Sequence, residues 1–197
     1  YPFGWLGILA ETRTTVAHCP TVFARRGITM KDFGRYVRNK VNMGVGTDTY
    51  PHNMLDELRL VAYLARTQAG NPRTMSTTDV FDAATIGGAR ALGRDDIGRL
   101  APGCRADLVL VDATHPRMQP RHDPVRSLIY AAGDRAVKDV FVDGRQVVKD
   151  GEVLTMDFRQ AAAHLAEAQK RVVGNATAQD WAHRPVEQIV RPTFPWL

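Results

Sequence analysis

The chain has 197 residues, of which 44% are apolar and 24% charged, and its formal net charge is +5 at pH 7. These proportions are typical of one or two water-soluble domains and exclude a disordered or collagen-like chain. No apolar run approaches the roughly 18 residues of a membrane helix, and the 26 Lys and Arg residues nowhere form a block. We therefore expect neither a membrane nor a nucleic acid among the partners.

The cysteines and the first residues of the chain indicate the compartment in which the protein is expected. Cys19 and Cys104 stand far apart in unlike contexts, so neither a disulfide framework nor a paired-cysteine metal site is expected. Cys19 is interpreted as a small buried residue rather than a nucleophile. The segment Tyr1–Trp5 lacks the basic region of a signal peptide. Together these features predict a cytoplasmic protein.

The first half of the chain alternates predicted strands and helices. A β-branched, apolar run over Thr14–Pro20 predicts a buried strand that ends at His18, and helical spacing begins at Met30. Val41–Asp48 is the second predicted strand, and Met54–Ala69 is a predicted amphipathic helix. This alternation favours parallel strands, in either a doubly wound sheet or a barrel.

A further helix is predicted over Asp79–Leu92, with Thr77 as its N-cap and Gly93 at its end. Gly87 and Gly88 lie inside this helix, without the preceding strand and the lysine of a phosphate-binding loop. Close helix packing is therefore the favoured interpretation of the two glycines.

The second half of the chain has a different pattern. Three short strands are predicted: Ala106–Val111, Val137–Val142 and Gln146–Val148. Asp143-Gly144 between the last two is a strong hairpin signal, because glycine adopts positive φ without steric cost. The sequence thus predicts a small antiparallel β unit within Ile97–Val153, followed by a helix over Phe158–Val173 and a tail.

Two polar residues stand at the predicted carboxyl ends of the first two strands. In a parallel barrel that edge holds the active site, so His18 and Asp48 would lie on the same rim. Asp48 could bind a metal or move a proton, and a neutral His18 could bind a metal, a substrate carbonyl or a metal-bound water. Alternatively, Asp48 only caps a turn and His18 is a hydrogen-bonded structural residue.

Five motifs follow one another along the chain: His18-Cys-Pro20, Gly46-Thr-Asp48, Ala84–Gly93, Ile97–Leu100 and Gly103–Val111. Together they resemble the amidohydrolase superfamily, in particular its branch of cytosine deaminases, guanine deaminases and triazine chlorohydrolases. The resemblance implies an α/β fold, namely the C-terminal part of a metal-dependent hydrolase (β/α)8 TIM barrel plus part of a flanking β-sandwich. Residues 1–96 would be the C-terminal segment of the TIM barrel, 97–153 β-sandwich strands, and 154–197 a C-terminal helix and tail. Asp107 would then fix a turn or pair locally.

The resemblance also implies a chemistry. One zinc or iron ion would lie at the barrel mouth, and Asp48 would be a catalytic, metal-associated residue that accepts a proton from the attacking water. The chain has no His-x-His, so the remaining ligands are expected upstream of Tyr1. The parent enzyme would deaminate, dechlorinate or hydrolyse an amide of a small, heterocyclic molecule, while the isolated chain would be inactive. His18 is a second expected catalytic residue, and His18, Phe23 and Tyr50 are expected to contact the substrate.

Two other interpretations stay open. A noncatalytic, truncated barrel module that associates with another chain fits the same strands, since two barrel strands alone expose apolar edges. A doubly wound nucleotide-binding domain needs a Gly-x-Gly-x-x-Gly fingerprint, which the sequence lacks. Besides a small-molecule substrate, the expected partner is a second copy, as a homo-oligomer, or the missing N-terminal part.

Overall fold

The computed structural model describes residues 3–191 and 193. The chain divides into two compact units, Tyr1–Glu152 and Val153–Leu197. Within the described part, no helix is both long and apolar enough to cross a membrane. The end of the predicted tail, residues 194–197, lies outside the described residues.

The first unit begins with a βαβα arrangement, as the sequence predicts. Its elements are α1 (Leu6–Glu11), β1 (Thr15–His18), α2 (Pro20–Ala24), α3 (Phe33–Arg38), β2 (Asn42–Val45) and α4 (Met54–Ala69). The two strands pair in parallel, from Thr15 opposite Asn42 to His18 opposite Val45. The short helices α1 and α2 are additions to the predicted set. The predicted strand Val41–Asp48 is too long, because the chain leaves the ladder after Val45 and turns at Asp48.

The predicted helix over Asp79–Leu92 is wrong, because the structure contains two helices, α5 (Thr77–Ala84) and α6 (Ile86–Ala91). The Thr85 hydroxyl donates to the Phe81 carbonyl at 2.8 Å, and such a bond back to the preceding turn bends a helix. The predicted N-cap at Thr77 is also wrong. Ser76 is the cap, since its Oγ accepts the Asp79 N–H while the Asp79 carboxylate accepts the Ser76 N–H.

The predicted antiparallel unit is confirmed as a four-stranded sheet in the order β3-β4-β5-β6. Its strands are β3 (Leu108–Val111), β4 (Val137–Val142), β5 (Arg145–Lys149) and β6 (Glu152–Val153). The connection from β3 to β4 contains α7 (Pro124–Ser127), a π-helical segment (Leu128–Ala132) and two short 3-10 turns (Pro116–Met118 and Gly133–Ala136). A hairpin joins β4 to β5 at the predicted turn, where Asp143 and Gly144 both have positive φ.

The hairpin turn is held by the segment that precedes β3. Asp107 Oδ1 accepts the Asp143 N–H at 2.6 Å, which confirms the predicted local role of Asp107. The Gly144 N–H donates to the Ala106 carbonyl at 3.0 Å. The Arg105 guanidinium forms an ion pair with the Asp143 carboxylate. Both residues of the turn are therefore fixed from outside the hairpin.

The main core lies between the parallel strands and the helices that follow them. Its most buried members include Phe33, Leu58, Val61, Ala62, Val80 and Ile129. Helix α6 packs on β2 at very short range, because a Cβ added to Gly87 would lie 2.1 Å from the Met43 carbonyl oxygen. The predicted close packing is thus confirmed at Gly87, whereas Gly88 has no atom within 4 Å of its ideal Cβ position.

The second unit contains α8 (Phe158–Gln179) and α9 (Val186–Ile189). Helix α8 continues past the predicted end at Val173, because Gly174 does not interrupt it. Its C-cap is Asp180. Neither helix has a buried residue among those described.

Candidate active site

Strand β1 ends at His18, as the sequence predicts, whereas Asp48 lies in the turn that follows the end of β2 at Val45. The Gly46 N–H donates to the His18 carbonyl at 3.0 Å, which ties the residue after β2 to the end of β1. Asp48 then turns the chain with φ +59°, a left-handed conformation that aspartate adopts more readily than most residues. The exposed Asp48 side chain has no hydrogen-bond partner among the described residues. Its carboxylate is thereby available to a ligand.

His18 is buried, with 5% of its surface exposed. Its ring lies 5.9 Å from the Phe33 ring, centroid to centroid, against α3. Burial lowers the pKa of His18 to about 4, because the cationic form loses its hydration in this environment. The imidazole is therefore neutral at physiological pH, the form that its predicted roles would require.

Cys19 is influenced by the charges of two carboxylates. Burial raises the pKa of the Cys19 thiol, and the negative charges of Asp48 and Glu57 raise it further. An added Cβ at Gly46 would lie 3.2 Å from Cys19 Sγ, so glycine gives the sulfur room. Cys19 is only partly buried. Its protonated thiol agrees with the prediction that Cys19 is not a nucleophile.

Sequence reasoning missed Glu57, which is 1% exposed and accepts the Thr21 N–H through Oε2 at 3.0 Å. The available signal is its position four residues before Val61, on the apolar stripe of α4. A carboxylate on a buried helix face needs hydrogen-bond partners. That requirement points to a specific role for Glu57.

The residues predicted to contact the substrate lie in two separate places. His18 and Phe23 line one cleft of about 860 Å³. Tyr50 is 68% exposed and lies elsewhere, with the Arg25 guanidinium carbon 4.6 Å from its ring centroid. Arg25 also donates to the Tyr50 carbonyl at 3.4 Å. The C-terminal end of α2 and the loop after β2 therefore touch through Arg25 and Tyr50.

The cleft follows the edge of β1. Five consecutive residues, 14–18, contribute to its lining, together with side chains from α1, α2 and α3. In the described chain β1 pairs with β2 on one side only. The buried Thr29 Oγ1 beside the cleft has no hydrogen-bond partner within the described part of the chain. The cleft thus has the features of an open strand edge that another segment could cover.

The described residues include no cluster of metal-binding side chains. In the described segments, no three His, Cys, Asp or Glu side chains lie close enough to hold an ion. An exposed carboxylate such as Asp48 suits one coordination position of zinc, which takes three or four protein ligands. A metal ion bound at Asp48 would need further ligands from outside the described residues.

The chain belongs to the amidohydrolase family, whose family model matches residues 6–147. It is 34% identical over 174 residues to a 5-methylthioadenosine/S-adenosylhomocysteine deaminase from Pelotomaculum thermopropionicum, covering 86% of this chain and 40% of that protein. Among solved structures it resembles an adenosine deaminase from Xanthomonas campestris with bound zinc, at TM-score 0.82 and 33% identity, covering 87% of this chain and 40% of that one. An atrazine chlorohydrolase from Arthrobacter aurescens complexed with zinc matches at TM-score 0.76 and 25% identity, covering 85% and 38%.

These similarities confirm the predicted family and the α/β fold class. They also show that the chain spans about 40% of the length of the relatives it matches. The chain is therefore comparable to a part of those proteins.

Proposed function

We propose that this chain is the C-terminal portion of a zinc-dependent enzyme that hydrolytically deaminates an adenine nucleoside. The observation that carries the proposal is the match of most of the chain to an adenosine deaminase with bound zinc, at TM-score 0.82 and 33% identity. The 34% identical relative is named as a deaminase of methylthioadenosine and S-adenosylhomocysteine, which are also adenine nucleosides. The identity to the chlorohydrolase is lower, at 25%, so deamination is favoured over dechlorination.

The reaction replaces an exocyclic amine by a carbonyl. The oxygen of water forms a bond to the ring carbon, and the bond from that carbon to the amine nitrogen breaks. One proton of the water leaves in ammonia, and the other stays on the product ring. Zinc bound at this site would supply Lewis-acid chemistry, because a bound metal ion lowers the pKa of water.

Asp48 is proposed as one zinc ligand and as the proton carrier of this site. Its carboxylate accepts the proton of the attacking water and delivers it to the departing amine. The exposed side chain and the turn at Asp48 support this role, since no described residue occupies the carboxylate. The neutral imidazole of His18 would contact the substrate or its water, and Phe23, which lines the same cleft, would border the purine.

The missing partner is proposed to be the N-terminal part of the same enzyme. Its strand would pair with the open edge of β1 and supply a partner for the Thr29 hydroxyl. An interface of this kind should exceed the roughly 1,000 Å² of a specific association.

Ammonia release by the zinc-loaded, full-length protein tests the proposal. With adenosine, methylthioadenosine and atrazine as substrates, we expect turnover of the nucleosides. Asp48→Asn should lower kcat by about 10²–10⁴-fold, because the amide keeps the shape but cannot accept the proton.

Asp95→Asn is the matched control, since Asp95 is also exposed and its side chain makes no hydrogen bond to a described residue. Equal activity of Asp48→Asn and Asp95→Asn would reject the assigned role. Release of chloride from atrazine without nucleoside turnover would reject the substrate class.

A further inference from the structure

Glu57 connects the segments that follow the two strands. Its Oε2 accepts the N–H of Thr21, which lies in the first turn of α2. The N-cap of that helix, Cys19, makes no capping hydrogen bond with its side chain. Glu57 therefore supplies, from α4, the acceptor that the local sequence lacks.

The opposite end of this connection is fixed as well. Glu57 lies in the first turn of α4, where the Asn53 side chain accepts the N–H groups of Leu55 and Asp56. The loop that enters this turn carries Asp48. The bond from Glu57 to Thr21 thus links the start of α2 to the helix that directly follows the Asp48 loop.

We infer that Glu57 is a positioning residue, which holds the start of α2 with Phe23 at a set place relative to Asp48. The inference rests on the proposed function and adds a residue to its site. The bond joins an anionic acceptor to a backbone donor inside the protein, where charge-assisted hydrogen bonds are strong. Without the acceptor, the Thr21 N–H loses its partner and the first turn of α2 moves away from the substrate.

Two substitutions of Glu57 in the zinc-loaded, full-length protein separate this role from simple stability. Glu57→Met keeps the length of the side chain but has no oxygen acceptor, whereas Glu57→Gln retains one. We expect Glu57→Met to raise KM for adenosine about tenfold while kcat changes less than about threefold. Glu57→Gln should stay close to the unsubstituted protein, because its carbonyl oxygen still accepts the Thr21 N–H.

Thr74→Val is the control for lost stability. Thr74 is buried beyond the far end of α4, and its hydroxyl donates to Asp32 Oδ1 at 2.9 Å. A partly unfolded preparation has fewer active molecules, which lowers kcat and leaves KM unchanged. We expect that pattern for Thr74→Val and the opposite pattern for Glu57→Met.

Hydrogen exchange of the Thr21 amide, measured by mass spectrometry, gives a second measurement that does not depend on turnover. Exchange should be faster in Glu57→Met and unchanged in Glu57→Gln. Slow exchange in Glu57→Met, or a KM equal to that of the unsubstituted protein, would overturn the inference alone. Absence of nucleoside deamination by the unsubstituted protein would overturn the proposed function and this inference with it.

Discussion

The contact between α6 and β2 makes adjacent glycines respond oppositely to the same substitution. In Gly87→Ala the new Cβ would lie 2.1 Å from the Met43 carbonyl oxygen and 3.1 Å from the Asp82 carbonyl oxygen. An ordinary contact begins near 3.4 Å, so the helix and strand must separate by about 3.4 − 2.1 = 1.3 Å. Both neighbours are backbone atoms, which cannot rotate away as a side chain would.

The expected change in the free energy of unfolding follows from two opposing effects. Overpacking costs about 3 kcal/mol, the upper part of the usual range, because the clash is with backbone. Alanine regains about 0.5–1 kcal/mol of helix propensity over glycine. Gly87→Ala should therefore destabilise the protein by about 2 kcal/mol, and Gly88→Ala, which meets no atom, should stabilise it by about 0.5–1 kcal/mol.

Urea denaturation of the full-length protein, followed by tryptophan fluorescence, measures both variants under the same conditions. Gly87→Ala should also reduce turnover, because β2 leads to Asp48. If the two variants have equal denaturation midpoints, the close approach of α6 to β2 is wrong.

Two further predictions concern pH and association. Burial lowers the pKa of His18 to about 4. Between pH 4 and about 6.5 the unfolded chain therefore binds more protons than the folded one. As the pH drops through this window, the free energy of unfolding should fall by about 3 kcal/mol. His18→Leu should lose that dependence in denaturation at pH 4–7, and an unchanged pH profile would contradict the burial of a neutral imidazole. The isolated 197-residue chain should self-associate at micromolar concentration and retain no stoichiometric zinc after dialysis. A single monomer in sedimentation would contradict the open strand edge. One tightly bound zinc per chain would contradict the need for ligands from outside the chain.

Local sequence determines the elements that were predicted correctly. Strand β1 follows from a β-branched run that proline ends, and the β4–β5 hairpin follows from Asp143-Gly144, whose positive φ values few other pairs adopt. Asp48 could be placed at a strand end because a short apolar strand precedes it. Each of these signals lies within a few residues of its effect.

Long-range contacts account for what could not be predicted. The partner of Glu57 is 36 positions away in the chain, and no periodic pattern identifies it. Tyr50 contacts Arg25 instead of lining the cleft with Phe23, which depends on how two loops meet. The break at Thr85 depends on a hydroxyl bond that competes with the helix, although the residues on both sides favour one helix. The rest of the proposed metal site would depend on ligands that the described residues do not supply.

The β4–β5 turn is a poor place to insert a peptide, unlike most hairpin turns. A two-residue turn at the surface is usually a permissive place for an epitope tag or an inserted peptide. Here an insertion between Asp143 and Gly144 would displace the backbone donors that reach Asp107 and Ala106. The tip behaves as part of the scaffold, and a tag placed there would disturb the segment leading into β3 along with the hairpin.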